Sequence, residues 1–248
     1  MNESSATISL RLFARALWAP RDLASAIDEG RANWRFPAVV IIGALMAMDF
    51  LALPLFLRAV PQMAPVGLSP DMLMQLEQTA RIMRPIQILL SPLTLLLKWA
   101  FTAAFLFGMG LLVLRPMVRA DGESVRLAPM KKLFALVVAA NIVLLLEEGL
   151  RHLLLWLRYL LTGEIMLRPA IGLDAFVRPS EAALAALAEQ ANVFEVWYLA
   201  VLIGGISALC RCSRSTAMAI VLPVWGFGVL AQMGVALIRE VLMRQLGG

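Results

Sequence analysis

The chain has 248 residues, of which 61% are hydrophobic and 16% are charged, whereas soluble domains contain about 45–50% apolar and about 25% charged residues. Its formal net charge is +5 and its mean hydropathy is +0.81. These values exclude an ordinary soluble domain and predict a polytopic membrane protein, whose basic excess faces an anionic lipid surface rather than a nucleic acid.

The N-terminal region, residues 1–35, is amphipathic rather than continuously apolar. Its apolar residues share one helical face and two arginines interrupt the run, so we expect a helix on the membrane surface and not a cleaved signal peptide. A second short amphipathic stretch follows Pro20. We therefore assign residues 1–35 to a cytoplasmic amphipathic segment and residues 36–248 to a single membrane domain. The residues on the first apolar face are Leu10, Phe13, Leu17 and Trp18.

Two apolar stretches follow that are long enough to cross a hydrocarbon core, which takes about 20 residues. The first runs from about Phe36 to Leu57 and contains Asp49. The second, Pro85–Leu114, contains Lys98 and is interrupted by Pro92, where we expect a kink or an oblique entry. Between them, residues 58–84 are expected to form an outside loop with an amphipathic helix resting on the outer surface.

The third apolar stretch, residues 133–161, follows a basic segment that we expect in the cytoplasm. It is interrupted by four ionisable residues, Glu147, Glu148, Arg151 and His152. Their i,i+4 spacing predicts that Glu147 pairs with Arg151 and Glu148 with His152 on one face of a helix. We expect the span to end near this cluster, with the remainder of the stretch in the outer leaflet or re-entrant.

The last two apolar stretches, Val193–Leu209 and Thr216–Ile238, are joined by a short turn and predict an antiparallel transmembrane hairpin. A helix is predicted just before it, in the segment that begins at Ser180. The hairpin turn carries Arg211 and Arg214 and no acidic residue, which favours the cytoplasmic side. The distribution of Lys and Arg over all the loops agrees. We therefore predict five spans in a bacterial inner membrane, with the N-terminus cytoplasmic and the C-terminus outside.

Two sequence patterns stand out among these elements, one near the N-terminus and one in the hairpin. The first contains Trp18, Pro20, Arg21, Ile27, Glu29, Gly30, Trp34 and Pro37, and the second Asn192, Phe194, Trp197, Leu202, Gly205, Ser207, Ser213, Ala217 and Trp225. With these patterns the chain resembles the Yip domain family of Ypt/Rab-GTPase-interacting membrane proteins, over residues 18 to 238 approximately. The resemblance implies an all-α, five-span architecture and a non-enzymatic role, and it implies a small GTPase as a partner by family analogy alone.

Common enzymatic motifs are absent from the chain. It contains no G-x-x-x-x-G-K-[ST], H-E-x-x-H or C-x-x-C motif and only one histidine, so we expect no catalytic residue, cofactor or metal. Cys210 and Cys212 are too close for an unstrained disulfide and are expected to be reduced thiols. We interpret Gly204, Gly205 and Ser207 as a helix-packing face rather than a nucleophile motif, because small residues let membrane helices approach closely.

Ionisable residues within the apolar stretches are the remaining functional candidates, because charge is expensive to bury in a membrane. We hypothesise that Asp49 and Lys98 neutralise each other between the first two spans. Two functions remain open. One is a scaffold or organiser that packs against other membrane proteins or a second copy of itself; the other is a transporter or channel subunit for a proton, an ion or a small solute. The candidate residues are Asp49, Lys98, Glu147, Glu148, Arg151, His152 and Glu195.

Overall fold

The computed structural model describes residues 14, 17–32, 34–63, 69–121, 126–166, 169–177 and 181–246, in which it contains helices and loops but no strand. The all-α fold class is therefore confirmed. The helices are α1 (Pro20–Asp28), α2 (Arg35–Met63), α3 (Pro70–Asp121), α4 (Met130–Ala140), α5 (Ile142–Thr162), α6 (Ala182–Gln190), α7 (Val193–Cys210) and α8 (Arg214–Leu246), with a 3₁₀ turn at Leu173–Ala175.

The described chain contains five helical stretches that are long and apolar enough to cross a membrane, as the sequence predicted. Helices satisfy their own backbone hydrogen bonds, which the hydrocarbon layer demands of any spanning segment. Their number, length and apolar composition are those of a polytopic α-helical membrane protein. The five stretches are Arg35–Gln62, Pro70–Leu114, Met130–Thr162, Val193–Cys210 and Arg214–Ile238.

The chain divides into two compact units. The first comprises the described parts of Met1–Ala38, Trp99–Leu144 and Ala170–Gly248, and the second comprises Val39–Lys98 and Leu145–Pro169. The first unit contains the hairpin of α7 and α8 together with α1, α4 and α6. The second contains most of α2, the first part of α3 and most of α5.

In the first unit, α7 and α8 are joined by a tight turn, as predicted. Arg211 adopts a left-handed conformation with φ of 53°, which ends α7. The hydroxyl of Ser207 donates to the carbonyl of Cys212 at 2.7 Å, and the amide of Cys212 donates back to the carbonyl of Ser207 at 3.1 Å. Ser213 then caps the start of α8 by accepting from the amide of Thr216 at 3.1 Å. Ser207 thus closes the turn as well as lying on α7.

Helix α1 is the second short amphipathic stretch that the sequence predicted after Pro20, and it packs along α7 and α4. A Cβ atom at Gly204, well inside α7, would lie 2.8 Å from Cγ of Pro20. The indole Nε1 of Trp197 donates to the carbonyl of Leu17 at 2.6 Å. The apolar face of α1 is buried because it finds a protein partner there; its residues are Leu23, Ala24, Ala26 and Ile27. The predicted helix around Leu10 lies outside the described residues, apart from its last positions.

The expected outside loop, residues 58–84, is largely helical in the second unit. Helix α2 continues to Met63, and α3 runs without interruption from Pro70 through Pro92. Proline lacks an N–H group, so Pro92 leaves the carbonyl of Ile88 without its helical donor. The hydroxyl of Ser91 donates to that carbonyl at 2.8 Å. This substitute bond explains why the helix passes Pro92, and the separate surface helix of the prediction is the first part of α3.

Candidate functional site

The second unit brings three ionisable side chains from three helices together, and we call Asp49, Arg84 and His152 the Asp49 cluster. The Nη2 atom of Arg84 lies 3.5 Å from Oδ1 of Asp49, and the Nε2 atom of His152 lies 3.9 Å from the same oxygen. The three side chains are half-buried. A carboxylate on α2 is thus faced by a guanidinium on α3 and an imidazole on α5.

Arg84, and not Lys98, is the cation that the structure places at Asp49. The hypothesis of an Asp49–Lys98 pair assumed that the second span begins at Pro85. Because α3 begins at Pro70 instead, Arg84 already lies within the helix. Lys98 follows fourteen residues later, which corresponds to about 21 Å along the helix axis at about 1.5 Å per residue. The wrong helix start therefore led to the wrong partner.

Arginine and aromatic side chains extend the contacts around this cluster. The guanidinium of Arg84 lies 4.7 Å from the ring centroid of Phe56, within the range of a cation–π contact. Further along the same helices, Arg58 donates to the hydroxyl of Tyr159, and its guanidinium lies 5.8 Å from that ring. Asp49 precedes Arg58 on α2, and His152 precedes Tyr159 on α5. Because Asp49 contacts His152 and Arg58 contacts Tyr159, the two helices run in the same direction.

The four ionisable residues predicted on one helix face lie within α5, which continues beyond them to Thr162. The predicted Glu147–Arg151 pair is confirmed, with a distance of 2.9 Å between Nη2 and Oε1 and both side chains nearly fully buried. Arg151 also donates to the carbonyl of Pro169 at 3.0 Å. Glu148 and His152 are in contact, but the acceptor is not the carboxylate that the sequence analysis predicted. The Nδ1 atom of His152 lies 2.9 Å from the backbone carbonyl of Glu148 and not from its carboxylate.

The predicted packing residues of α7 lie at close helix contacts in the first unit. Gly204 faces Pro20 of α1, and Gly205 faces Leu136 of α4. Glu195 lies in the first turn of α7, where its amide donates to the Asn192 side chain at 2.8 Å. A carboxylate in the first turn is favoured by the helix dipole. The position of Glu195 at a helix start therefore has a structural reason.

A second ionic cluster, which the sequence analysis missed, joins α1 to the segment that begins α4. The Nζ atom of Lys132 donates to Oδ1 of Asp28 at 2.5 Å, and Arg126 donates to Oδ2. The hydrogen bond from Lys132, followed by that from Arg126, holds the pKa of Asp28 below its ordinary value. The amide of Arg126 also donates to the carbonyl of Cys210 at 3.1 Å. No local pattern reveals this Asp28 cluster, because Asp28 is about a hundred residues away from both Arg126 and Lys132 along the chain.

Both cysteines are free and buried, beside the turn that joins α7 and α8. Burial raises the pKa of the Cys212 thiol to about 11, and the neighbouring Cys210 adds to the shift. A thiol with so high a pKa is a poor nucleophile near neutral pH, because only the thiolate reacts. The arrangement fits packed structural thiols.

Comparison with known proteins gave no match for this chain: no family model, no curated protein and no solved structure. The resemblance to the Yip domain family therefore stays a prediction. Within the described residues, no group of three or more His, Cys, Asp or Glu side chains is arranged to hold a metal ion.

Proposed function

We propose that this chain is a non-enzymatic integral membrane protein of Yip type, in a bacterial inner membrane, that organises other membrane proteins through helix packing. In this proposal the N-terminus is cytoplasmic and the C-terminus is outside. The observation that carries it is a set of glycines in α8 that the rest of the described chain does not require.

Three glycines of α8, Gly226, Gly228 and Gly234, have no described atom within 4 Å of the position that a Cβ would take, apart from their chain neighbours and the adjacent backbone of α8 itself. Glycine in a helix interior costs about 0.8–1.0 kcal/mol relative to alanine. Open space beside all three means that no contact within the described chain accounts for that cost. In membranes, helices associate by close van der Waals packing, and small residues permit the necessary approach of the backbones.

Two large apolar side chains close to these glycines are exposed. Leu230 is 67% exposed, and Phe227, whose ring stacks on one side against Phe105 of α3, is still 58% exposed. Such a surface packs against lipid or against another apolar helix. A helix that offers both small and large apolar residues supplies the holes and knobs for a second membrane helix. We therefore place the partner-binding surface on α8.

The experiment is purification of the tagged protein from its native membranes in a mild detergent after brief cross-linking. A stoichiometric membrane partner, or a second copy of the chain, is expected. Gly228→Leu combined with Gly234→Leu should remove the partner because the larger side chains hold the helices apart. Val235→Leu, a small enlargement of a side chain that is 63% exposed, is the matched control. Partner recovery that is equal in all three proteins would contradict the proposal.

A second candidate function, movement of a proton, an ion or a small solute, is favoured by the Asp49 cluster. Ionisable groups contributed by several membrane helices often mark a transport pathway. The test is flux through liposomes that contain the purified protein alone. Proton or ion movement above that of empty liposomes, abolished by Asp49→Asn, would favour transport over the scaffold.

A further inference from the structure

We propose that the Asp49 cluster is a proton-binding site, in which the Nε2 atom of His152 takes up the proton and presents it to Asp49. The site is distinct from the α8 surface, and the proposal holds whether or not the protein binds a partner there. It rests on the contacts that surround the histidine ring within the second unit.

The first step is the tautomer of the ring. The Nδ1 atom of His152 lies 2.9 Å from the backbone carbonyl oxygen of Glu148. A carbonyl oxygen can only accept a hydrogen bond, so Nδ1 must carry a hydrogen to make this contact favourable. In a neutral imidazole the other nitrogen then has a lone pair and no hydrogen. Nε2 is therefore the atom at which the ring gains a proton.

The second step concerns the group that faces the Nε2 atom of His152. Its nearest charged partner is Oδ1 of Asp49, at 3.9 Å. While the ring is neutral, two hydrogen-bond acceptors face each other and no hydrogen lies between them. Uptake of one proton from water forms an N–H bond at Nε2 and breaks no bond in the protein. The imidazolium then donates from Nδ1 to the carbonyl of Glu148, and its new N–H at Nε2 is directed at Asp49. The second contact becomes a charge-assisted hydrogen bond when the two side chains close the 3.9 Å between them to the roughly 2.7–2.9 Å of such bonds.

The third step concerns the other charged groups on the helices that contribute to the site. On α3, Arg84 lies 3.5 Å from the same Asp49 oxygen and forms an ion pair with it. On α2, Arg58 donates a hydrogen bond to the hydroxyl of Tyr159. On α5 itself, Glu147 and Arg151 form a pair with each other. The Asp49 carboxylate that faces Nε2 of His152 is thus also contacted by a cation on a third helix.

The test uses the fact that His152 is the single histidine of the chain. Full-length protein labelled with ¹³C and ¹⁵N only at histidine, in lipid nanodiscs, gives ring signals that report this residue alone. At alkaline pH we expect the Nδ1–H tautomer, which is the less common one in free histidine. On acidification we expect a new proton at Nε2, shifted downfield and slow to exchange with water because Asp49 accepts it.

Asp49→Asn should remove the downfield position and the slow exchange of that proton. Asp71→Asn, an exposed carboxylate in the first turn of α3, is the matched control and should leave both unchanged. A neutral ring with its hydrogen on Nε2 would overturn the proposal, as would a protonated ring that is indifferent to Asp49→Asn. The tautomer measurement needs only the unaltered protein, so it can overturn the proposal even where the Asp49 variant fails to fold.

Discussion

Leu136 of α4 lies directly against the backbone of Gly205 in α7. A Cβ atom at position 205 would come within 2.7 Å of Cδ2 of Leu136 and within 3.1 Å of its Cγ. Since Leu136 is fully buried, its whole branched end would have to move to admit even a methyl group. The contact between the first half of the third span and the hairpin therefore requires glycine at position 205.

Replacement of Gly205 should destabilise the protein. We expect Gly205→Ala to lower the free energy of unfolding by about 1–3 kcal/mol, the usual cost of overpacking a buried site, and Gly205→Leu to reduce folded yield further. Thermal unfolding in detergent measures the effect. Gly43→Ala is the control, because no described atom beyond its chain neighbours and the adjacent backbone of α2 lies within 4 Å of its Cβ position. Gly205→Ala should recover in part when Leu136→Ala makes room, and equal melting of all variants would refute the packing role.

The buried Glu147–Arg151 pair should be sensitive to loss of one partner. Removal of one member of a buried ion pair leaves an uncompensated charge, at a cost of about 3–5 kcal/mol, whereas joint removal is often tolerated. We expect Glu147→Leu to lower the melting temperature strongly and Glu147→Leu with Arg151→Met to recover part of it.

The exposed pair Arg158–Glu164 supplies the control for that cycle. Its side chains are 43% and 66% exposed, and exposed pairs contribute about 0–1 kcal/mol. Arg158→Met should therefore change the melting temperature little. If Arg158→Met lowered the melting temperature as much as Glu147→Leu does, burial would not be what determines the cost of losing one partner of an ion pair.

The Asp28 cluster should make the fold acid-sensitive. Lys132 and Arg126 hold the pKa of Asp28 below its ordinary value of 3.8. Because the pKa is lower in the folded state than in the unfolded state, the stabilisation is fully present above the ordinary value and is lost as pH falls through the folded-state pKa. Acid titration followed by tryptophan fluorescence should show a weaker pH dependence below about pH 4 in Asp28→Asn than in the unaltered protein. Asp71→Asn is the control and should leave the pH dependence at acidic pH the same as in the unaltered protein.

Cys212 should be almost inert to alkylation in the folded protein. With a pKa of about 11, only about one thiol in a thousand is ionised at pH 8. A Cys210→Ala variant leaves Cys212 as the sole cysteine, so mass spectrometry after maleimide treatment reports it directly. We expect slow labelling in mild detergent and complete labelling after denaturation. Rapid labelling of the folded protein would show that the turn is open.

The predicted topology is tested with reporter fusions. A reporter after Gly248 should be exported, and a reporter placed within residues 121–124 should remain cytoplasmic, because basic loops are retained on that side. An odd number of spans between the N-terminus and Gly248 requires the two ends on opposite sides. If both reporters lie on the same side, the count of five spans is wrong.

Local features of the sequence were sufficient for the membrane class, the all-α fold and the five spans. The length of an apolar run against the thickness of a bilayer is a one-dimensional property, so composition alone identifies such helices. The Glu147–Arg151 pair was predictable for a related reason, because i,i+4 neighbours meet on any helix whatever surrounds it. The tight turn between α7 and α8 likewise depends only on adjacent residues.

Tertiary structure alone decided which distant residues meet. The partner of Asp49 depends on where α3 begins and on its continuation through Pro92, so a start placed fifteen residues too late exchanged Arg84 for Lys98. Asp28 and Lys132 come together only because the apolar face of α1 packs against α4 and α7. Such contacts depend on the register of one helix against another, which arises from the packing of whole surfaces and leaves no local trace in the order of the residues.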